Sequence, residues 1–390
     1  MSEFRASFKV GLPLFIVAIN LRAGLVSINP ILSVIGRDLH LSTLSLSWLA
    51  AIPLICFGVA APFSVYARRV GNTNQIIGYA LWVLGISLLL RGTGSILALY
   101  IFTLFMGISI TMLNISFPVW IKEHASSHAG IATGTYVAMQ GIFAAAAIAI
   151  AAPLSKLTSY SWRLSIIPWG VVALVTAIWW HWQTRSQSDS QKISTEFLKL
   201  DLSLLKSARA WQISLFFGVQ SALFYASGTW YPTILVDRGL SLNSAGYFVS
   251  ISGIIGSFMG IIVPLMSRKY HDLRLIIVGV AFIIGSGFLG ILFDSGPRLM
   301  IWVSMTNIGF STSFSLALYM FIIRSRDASA THSLSIMAQC IGYLIAAIAP
   351  IIMGVLFVAT GNWNSGLWFL IGLTGLLAGL GIKAGKPGSI

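Results

Sequence analysis

The sequence predicts an all-α membrane protein whose twelve transmembrane helices form two six-helix repeats. Composition carries the first part of this prediction: 57% of the 390 residues are hydrophobic, only 9% are charged, and the mean hydropathy is +0.88. Soluble proteins carry about 25% charged residues, so the composition excludes a soluble fold. The net charge of +14 is then explained by basic cytoplasmic loops rather than by a nucleic-acid partner.

Twelve apolar segments are long enough to cross the roughly 30 Å hydrocarbon core of a bilayer. They are predicted at residues 10–36, 45–66, 74–94, 96–120, 130–153, 162–183, 210–234, 243–266, 273–293, 298–323, 330–358 and 363–383. One connection is long and polar, and its amphipathic piece, 197–205, is expected to lie on the membrane face. The predicted domains are therefore an N-terminal bundle (1–183), a cytoplasmic linker (184–209) and a C-terminal bundle (210–390).

The two halves of the chain share short sequence matches at nearly constant separation. The basic pair at 68–69 after the second span matches 268–269 after the eighth, and residues 138–140 in the fifth span match 337–339 in the eleventh. Matches at equivalent spans predict two parallel six-helix repeats.

Loop Lys and Arg residues concentrate on the side of the membrane that carries both termini. Because cytoplasmic loops are enriched in these residues, both termini are predicted to be cytoplasmic. The opposite side receives six basic residues in this assignment, namely Arg37, Arg91, Lys156, Arg163, Arg238 and Arg298.

Arg22 lies in the middle of the first apolar segment. It is about 18 Å along a helix from Val10, at about 1.5 Å per residue, and so close to the bilayer midplane. A permanent charge there costs at least roughly 2.5–3.5 kcal/mol. We expect it to face a polar cavity, a carboxylate or an anionic ligand. Asn20 lies beside it, and Pro30 is expected to bend the helix.

Acidic residues and histidines avoid the middle of every predicted span. All ten Asp and Glu and all six His fall in loops, termini or helix ends. A bound anion, or the negative end of a polar substrate, is therefore predicted to neutralise Arg22. The alternative is that Arg22 caps carbonyls freed by the Pro30 bend or pairs with neighbouring Asn and Gln. With no buried proton carrier, facilitated transport or exchange is expected, unless a peripheral acid couples protons.

Other polar side chains near mid-span are candidates to line a cavity with Arg22 and Asn20. They are Asn114, Tyr136, Gln140, Gln220, Tyr225, Asn307, Gln339 and Tyr343. For each of them the alternative is a hydrogen bond between packed helices. Trp230 is a further candidate, with an interfacial aromatic belt as its alternative.

Four basic residues follow the second and eighth spans: Arg68, Arg69, Arg268 and Lys269. Contact with lipid headgroups is the simplest interpretation. The alternative is that they brace an inner gate, in which Asp272 pairs with Arg68 or Arg69 across the halves.

Polar and aromatic motifs recur in spans one, four, seven and eleven. They are Asn20-Leu21-Arg22 with Asn29-Pro30; Asn114 with Pro118 and Ile121-Lys122; Gln220-Ser221 with Phe224-Tyr225, Trp230 and Pro232; and Leu334, Met337, Gln339, Gly342-Tyr343 and Ala349-Pro350. Over nearly the whole chain they resemble the cyanate/nitroimidazole transporter group of the major facilitator superfamily. The resemblance implies a multi-pass carrier of the bacterial inner membrane, usually a monomer. The chain departs from the group at Ala23, where proline is frequent, and in the reduced loop signature at 67–71.

No catalytic motif is present: the chain lacks a Gly-rich phosphate loop, HExxH and GxSxG. We therefore predict no enzyme, cofactor or metal site. The predicted function is secondary transport of a small anionic or small polar planar, cyanate-like solute by alternating access, with Arg22 as its anchor. The alternative is an exporter of nitroimidazole-like or other drugs, which the many aromatic and methionine residues would suit. An intramembrane enzyme or sensor is disfavoured because catalytic groups are missing.

Overall fold

The computed structural model describes residues 2–67, 71–124, 129–157, 161–185, 201–267, 272–326 and 328–388. Within these ranges the regular secondary structure is all helical. The α-helices are α1 Ser2–Val26, α2 Leu32–Asp38, α3 Thr43–Ala67, α4 Thr73–Arg91, α5 Ile96–His124, α6 Ala129–Leu154, α7 Ile167–Thr184, α8 Ala208–Asp237, α9 Leu242–Ser267, α10 Arg274–Phe293, α11 Leu299–Arg324, α12 Ala328–Thr360 and α13 Asn364–Ala384. The all-α prediction is confirmed.

Two helices share the first crossing, and each later helix makes one crossing of its own. In the part of the chain described, nine helical stretches are long and apolar enough to span a bilayer. Their lipid-facing sides carry large exposed hydrophobic side chains, such as Leu275 (84% exposed) and Phe293 (77%). Such exposure would be costly in water and is favourable against lipid.

The first crossing is broken, as the proline predicted. Helix α1 ends at Val26, a 3₁₀ turn covers Asn29–Ile31, and α2 continues from Leu32. Pro30 has no N–H to donate to the Val26 carbonyl four residues back, and its ring would clash with that carbonyl. The last α-helical bond before it runs from the Ser27 N–H to the Ala23 carbonyl at 3.0 Å. The break follows Arg22 by little more than one turn.

Packing within each half is extensive. In the first half α4 packs on α5 and α7, and α1 packs on α6. In the second half α8 packs on α12 and α13, and α11 packs on α9 and α10.

Two helix pairs join the halves. Helix α3 packs on α12, and α6 packs on α9. These are spans two with eleven and five with eight, so exchanging the two halves turns one pair into the other. Small residues make the approach close: a Cβ added at Gly58 of α3 would lie 2.7 Å from Leu344 Cγ of α12.

More than half of the linker falls outside the described residues, including the first four residues, 197–200, of the predicted amphipathic piece. Its described end is a short 3₁₀ helix, Leu202–Lys206. Leu204 is buried there, whereas Leu202 and Leu205 are exposed.

Candidate functional site

Arg22 lies four residues before the end of α1 and points towards the other half of the protein. Its neighbours Leu21 and Ala23 are fully buried, whereas Arg22 itself is half-buried. The guanidinium carbon lies 5.8 Å from the ring centroid of Phe224 on α8. This is a cation–π distance, so a charge from the first half sits against an aromatic face of the second.

Tyrosines from three helices surround this charge. Tyr136 on α6, Tyr225 on α8 and Tyr343 on α12 are all near enough for Arg22 to act electrostatically on their hydroxyl groups. The structure therefore brings together four of the predicted site residues: Arg22 and these three tyrosines.

Tyr343 is the centre of an aromatic cluster, which we define as Tyr343, Tyr225, Phe224, Phe57 and Phe217. Its ring centroid lies 5.4 Å from Phe57, 5.6 Å from Phe217 and 6.1 Å from Tyr225. Tyr225 in turn lies 5.1 Å from Phe224, edge to face. Edge-to-face contacts between aromatic rings are favourable, so the cluster forms a packed aromatic surface beside the Arg22 charge.

Two polar side chains of α6 make no hydrogen bond with another described residue. The Tyr136 hydroxyl is buried and unpaired, and Gln140 is 7% exposed. The two are four residues apart and so share a helix face. A buried polar group left unpaired costs roughly 1–3 kcal/mol, and this cost applies to the Tyr136 hydroxyl.

Arg22 has neither an ion pair nor a hydrogen bond with any residue that the structure describes. The ion pairs within the described ranges all lie at helix ends or turns: Arg163–Asp38, Arg274–Asp272 and Arg298–Asp294. None of the acidic residues that the structure describes pairs with Arg22.

Two predicted site residues make hydrogen bonds between packed helices. Asn20 donates to Thr176 Oγ1 on α7 at 2.9 Å, and it lies about 200° around the helix from Arg22. Asn307 donates to Ser252 Oγ on α9 at 3.0 Å. Both make the contact between packed helices that was the alternative interpretation.

Three further candidates are not hydrogen-bonded to Arg22 within the described part of the chain. Gln220 is buried and donates to Ser221 Oγ at 2.7 Å. Gln339 is half-buried and donates to Ser335 Oγ at 2.9 Å, within its own helix. Asn114 is exposed on α5.

Trp230 is a packing residue. It is 2% exposed, donates to the Pro350 carbonyl at 3.1 Å, and lies 4.8 Å from the Trp363 ring. It therefore does not belong to an interfacial aromatic belt.

The predicted gate cannot be compared with the structure, because Arg68, Arg69, Arg268 and Lys269 lie outside the described residues. Asp272 is described and exposed, and it binds Arg274, with 2.6 Å between Oδ2 and Nη2. Hydrogen bonds from Arg274 lower the pKa of Asp272 to about 2. Its pairing with Arg68 or Arg69 stays a prediction.

Arg91 was counted with the loop residues of the outer side, although the predicted third span, 74–94, contains it; the structure places it in the helix. It is the last residue of α4 and is 0% exposed. Its Nη1 donates to the Gly24 carbonyl at 3.4 Å and lies 3.3 Å from Met106 Sδ. The available signal was the run Leu88-Leu89-Leu90 directly before it, which continues the apolar span up to the charge.

Comparison with known proteins agrees with this architecture. The family model described as Major Facilitator Superfamily matches residues 14–349. The chain is 32% identical to the uncharacterized transporter YycB of Bacillus subtilis (strain 168), over 95% of this chain and 92% of that protein. It is 28% identical to the 2-nitroimidazole transporter of Escherichia coli (strain K12), covering 97% and 95%. It is 22% identical to the cyanate transport protein CynX of the same strain, covering 90% and 91%.

Among solved structures, the fold resembles a bacterial homologue of the human lysosomal transporter Spinster in an inward-facing, occupied conformation. The TM-score is 0.80 at 14% identity, covering 97% of this chain and 96% of that one. A likeness at this identity concerns the fold alone, and it confirms the twelve-helix, two-repeat prediction. The protein is thus a transporter and not an enzyme, with nitroimidazole and cyanate transporters among its relatives. The chain belongs to the major facilitator superfamily.

Proposed function

We propose that the protein is a secondary transporter for a small anionic or small polar planar solute, and that Arg22 is its anchor. One observation carries the proposal. Arg22 has no ion pair or hydrogen bond with a described residue, and it faces Phe224 of the other half at 5.8 Å. A solute bound between these residues would touch both halves, as alternating access requires.

The charge of Arg22 favours an anion or the negative end of a dipole. A guanidinium stays protonated at any pH the cell reaches and offers five N–H donors in a planar fork. A carboxylate or comparable group would form charge-assisted hydrogen bonds with it, roughly twice as strong as neutral ones. Such a ligand would offset the cost of holding the charge within the membrane.

The aromatic cluster favours a flat solute. The centroids of neighbouring rings in it lie 5.1–6.1 Å apart. No described carboxylate pairs with Arg22, so the site offers no group that would bind a cation. Tyr136 and Gln140 would supply the orienting hydrogen bonds. A site with apolar walls and a few polar groups is typical of small-molecule recognition. Small or planar solutes also appear in the names of the Escherichia coli relatives that transport cyanate and 2-nitroimidazole.

The proposed mechanism rocks the two halves around this site. On the side opposite the termini, Ser250 of α9 donates to the Ala145 carbonyl of α6 at 2.7 Å, so the halves touch there. If both termini are cytoplasmic, as the loop charges indicate, that side faces outward. We further propose a monomer of the bacterial inner membrane, built from bundles 1–183 and 210–390 joined by the linker 184–209.

Efflux of nitroimidazole-like compounds is the second candidate function. The observation in its favour is the aromatic cluster, which can stack on a neutral heterocycle. The oxygens of a nitro group carry partial negative charge and would face Arg22 in the same site. The second candidate therefore adds efflux as the direction of flux and a neutral heterocycle as the solute.

A ligand-binding screen tests the anchor. Cyanate and 2-nitroimidazole are added to the purified wild type, to Arg22→Gln and to the control Arg163→Gln, whose arginine is paired with Asp38 in the same half. A ligand at 100 times its Kd stabilises the native state by about 2.7 kcal/mol. We expect the melting temperature to rise in the wild type and the control, and to stay constant in Arg22→Gln. An equal rise in Arg22→Gln would remove Arg22 from the site.

A further inference from the structure

Arg91 is a second arginine packed among the helices, and it is more deeply buried than Arg22. It is fully enclosed by protein, and its Nε and Nη2 have no hydrogen-bond partner among the described residues. Only Nη1 is engaged, with Gly24 of α1 and Met106 of α5. Burying an incompletely paired charge costs free energy. The role of Arg91 is therefore to be sought in its contact with Gly24.

The Gly24 carbonyl lies where α1 loses its hydrogen-bond ladder. The carbonyl of Ala23 still accepts the Ser27 N–H at 3.0 Å. Gly24 follows it and takes side-chain donors instead, from Ser27 Oγ and Arg91 Nη1, both at 3.4 Å. The C-terminal end of a helix carries a partial negative charge of about half an electron. Arg91 therefore caps the broken end of α1 with a complementary charge.

This cap lies behind Arg22. Gly24 faces α4, because a Cβ added there would lie 2.7 Å from Leu88 Cδ1. Arg22 is two residues earlier and so about 200° around the helix, on the side of Phe224. Arg91 and Leu88 thus hold one face of the last α1 turn, while the opposite face presents Arg22 to the other half.

We propose that Arg91 is a positioning residue, which caps the broken end of α1 and thereby holds Arg22 towards the solute site. This inference rests on the proposed function of Arg22. Arg91 contacts no solute in this scheme; it acts through the backbone of the turn that carries Arg22. Losing it frees residues 21–31 to sample other orientations, and solute affinity falls.

Arg324 provides a matched control. It is also buried, at 4% exposure, and it donates to the Gly385 carbonyl at the end of α13 at 3.1 Å. It thus caps a helix end in the second half, away from the broken crossing. If buried arginines only stabilise the fold, Arg91→Met and Arg324→Met will have similar effects. If Arg91 positions Arg22, only Arg91→Met will change solute affinity.

The experiment measures hydrogen exchange and cyanate affinity in the wild type, Arg91→Met, Arg91→Lys, Arg324→Met and Arg22→Gln. For Arg91→Met we expect faster exchange in residues 21–31 and roughly tenfold weaker binding of cyanate, the size of one lost charge-assisted hydrogen bond. Removing an incompletely paired buried charge can leave stability unchanged or raise it, so affinity is expected to fall without a fall in melting temperature. Lysine keeps a donor and is expected to restore part of the affinity.

Unchanged hydrogen exchange in residues 21–31 of Arg91→Met overturns the inference, whether or not the affinity for cyanate changes. Equal loss of affinity in Arg324→Met also overturns it. If Arg22→Gln loses affinity and Arg91→Met keeps it, this inference fails and the proposed anchor stands. If Arg22→Gln keeps full affinity, the anchor itself is wrong.

Discussion

The Gly228 carbonyl of α8 accepts a hydrogen bond from the Asn29 amide of the first crossing at 2.9 Å. This carbonyl is available because the residue four positions on is Pro232, which has no N–H to donate. Two prolines therefore create the contact: Pro30 breaks the first crossing, and Pro232 leaves an acceptor facing the break. The bond joins the two halves on the side opposite the termini.

Removing the Asn29 amide should loosen the halves on that side. A net intramolecular hydrogen bond contributes about 0.5–1.5 kcal/mol, so Asn29→Ala is expected to shift the population between the two open states by about two- to tenfold. Labelling of a cysteine introduced on the side opposite the termini measures the shift. Asn362→Ala is the control, since the Asn362 side chain is hydrogen-bonded to Thr360 and Asn364, in the turn between α12 and α13. Equal labelling in all three proteins would contradict the role of the bond.

A side chain at Gly58 should disfavour the observed contact between α3 and α12. Its Cβ would meet Leu344 Cγ at 2.7 Å and the Cys340 carbonyl at 3.0 Å, and the carbonyl belongs to the backbone and cannot rotate away. Overpacking of this kind costs about 1–3 kcal/mol. Gly58→Val is thus expected to slow transport about tenfold or more. Gly375→Val on α13, where nothing lies within 4 Å, should leave transport unchanged, and equal rates in the two variants would refute the prediction.

Hydropathy predicts the crossings because each apolar span must satisfy its own backbone in lipid. The break at Pro30 was also predictable, since it follows from a missing donor within the same segment. Helix geometry alone could have separated Asn20 from Arg22, because two residues apart on a helix means nearly opposite faces. The sequence therefore indicates which polar residues can share a helix face, in addition to which polar residues lie near mid-span.

Partners from distant helices were not predictable in the same way. Whether Arg91 is exposed in a loop or contacts the end of α1 depends on how α4 packs against α1. The contact of Asn307 with Ser252 likewise requires the knowledge that α11 packs on α9. A hydropathy plot assigns depth along the membrane normal and contains no lateral neighbours, so it places both side chains only by height.

The Asp272–Arg274 pair should respond to acid and not to pH changes near neutrality. Hydrogen bonds from Arg274 hold the pKa of Asp272 at about 2, below the value of about 3.9 for an aspartate in an unfolded chain. The pair therefore stabilises the folded state above about pH 4, and this stabilisation is lost as the pH falls towards 2. Melting temperatures of the wild type and Asp272→Asn should differ slightly at pH 7, since exposed pairs contribute little, and should converge towards pH 3. A difference that widens on acidification would contradict this assignment.

Tyr136 should matter for solute binding more than for folding. Its hydroxyl is buried beside Arg22 without a partner among the described residues, so Tyr136→Phe removes an unsatisfied group and should leave the melting temperature unchanged or raise it. If the hydroxyl binds solute, the same change should weaken cyanate binding by up to about tenfold, the size of one hydrogen bond to a charged group.

Tyr231→Phe is the control for Tyr136→Phe, and the opposite result is expected. The Tyr231 hydroxyl is buried in the second half and is hydrogen-bonded to Thr306 Oγ1 at 2.8 Å. Removing it should lower stability by about 0.5–1.5 kcal/mol and leave cyanate affinity as it is. The two tyrosines thus separate the contributions: one hydroxyl is already used by the fold, and the other remains available to the solute. If Tyr136→Phe lost stability and kept affinity, its hydroxyl would be a structural group whose partner lies outside the described residues, and the site around Arg22 would have to be redrawn without it.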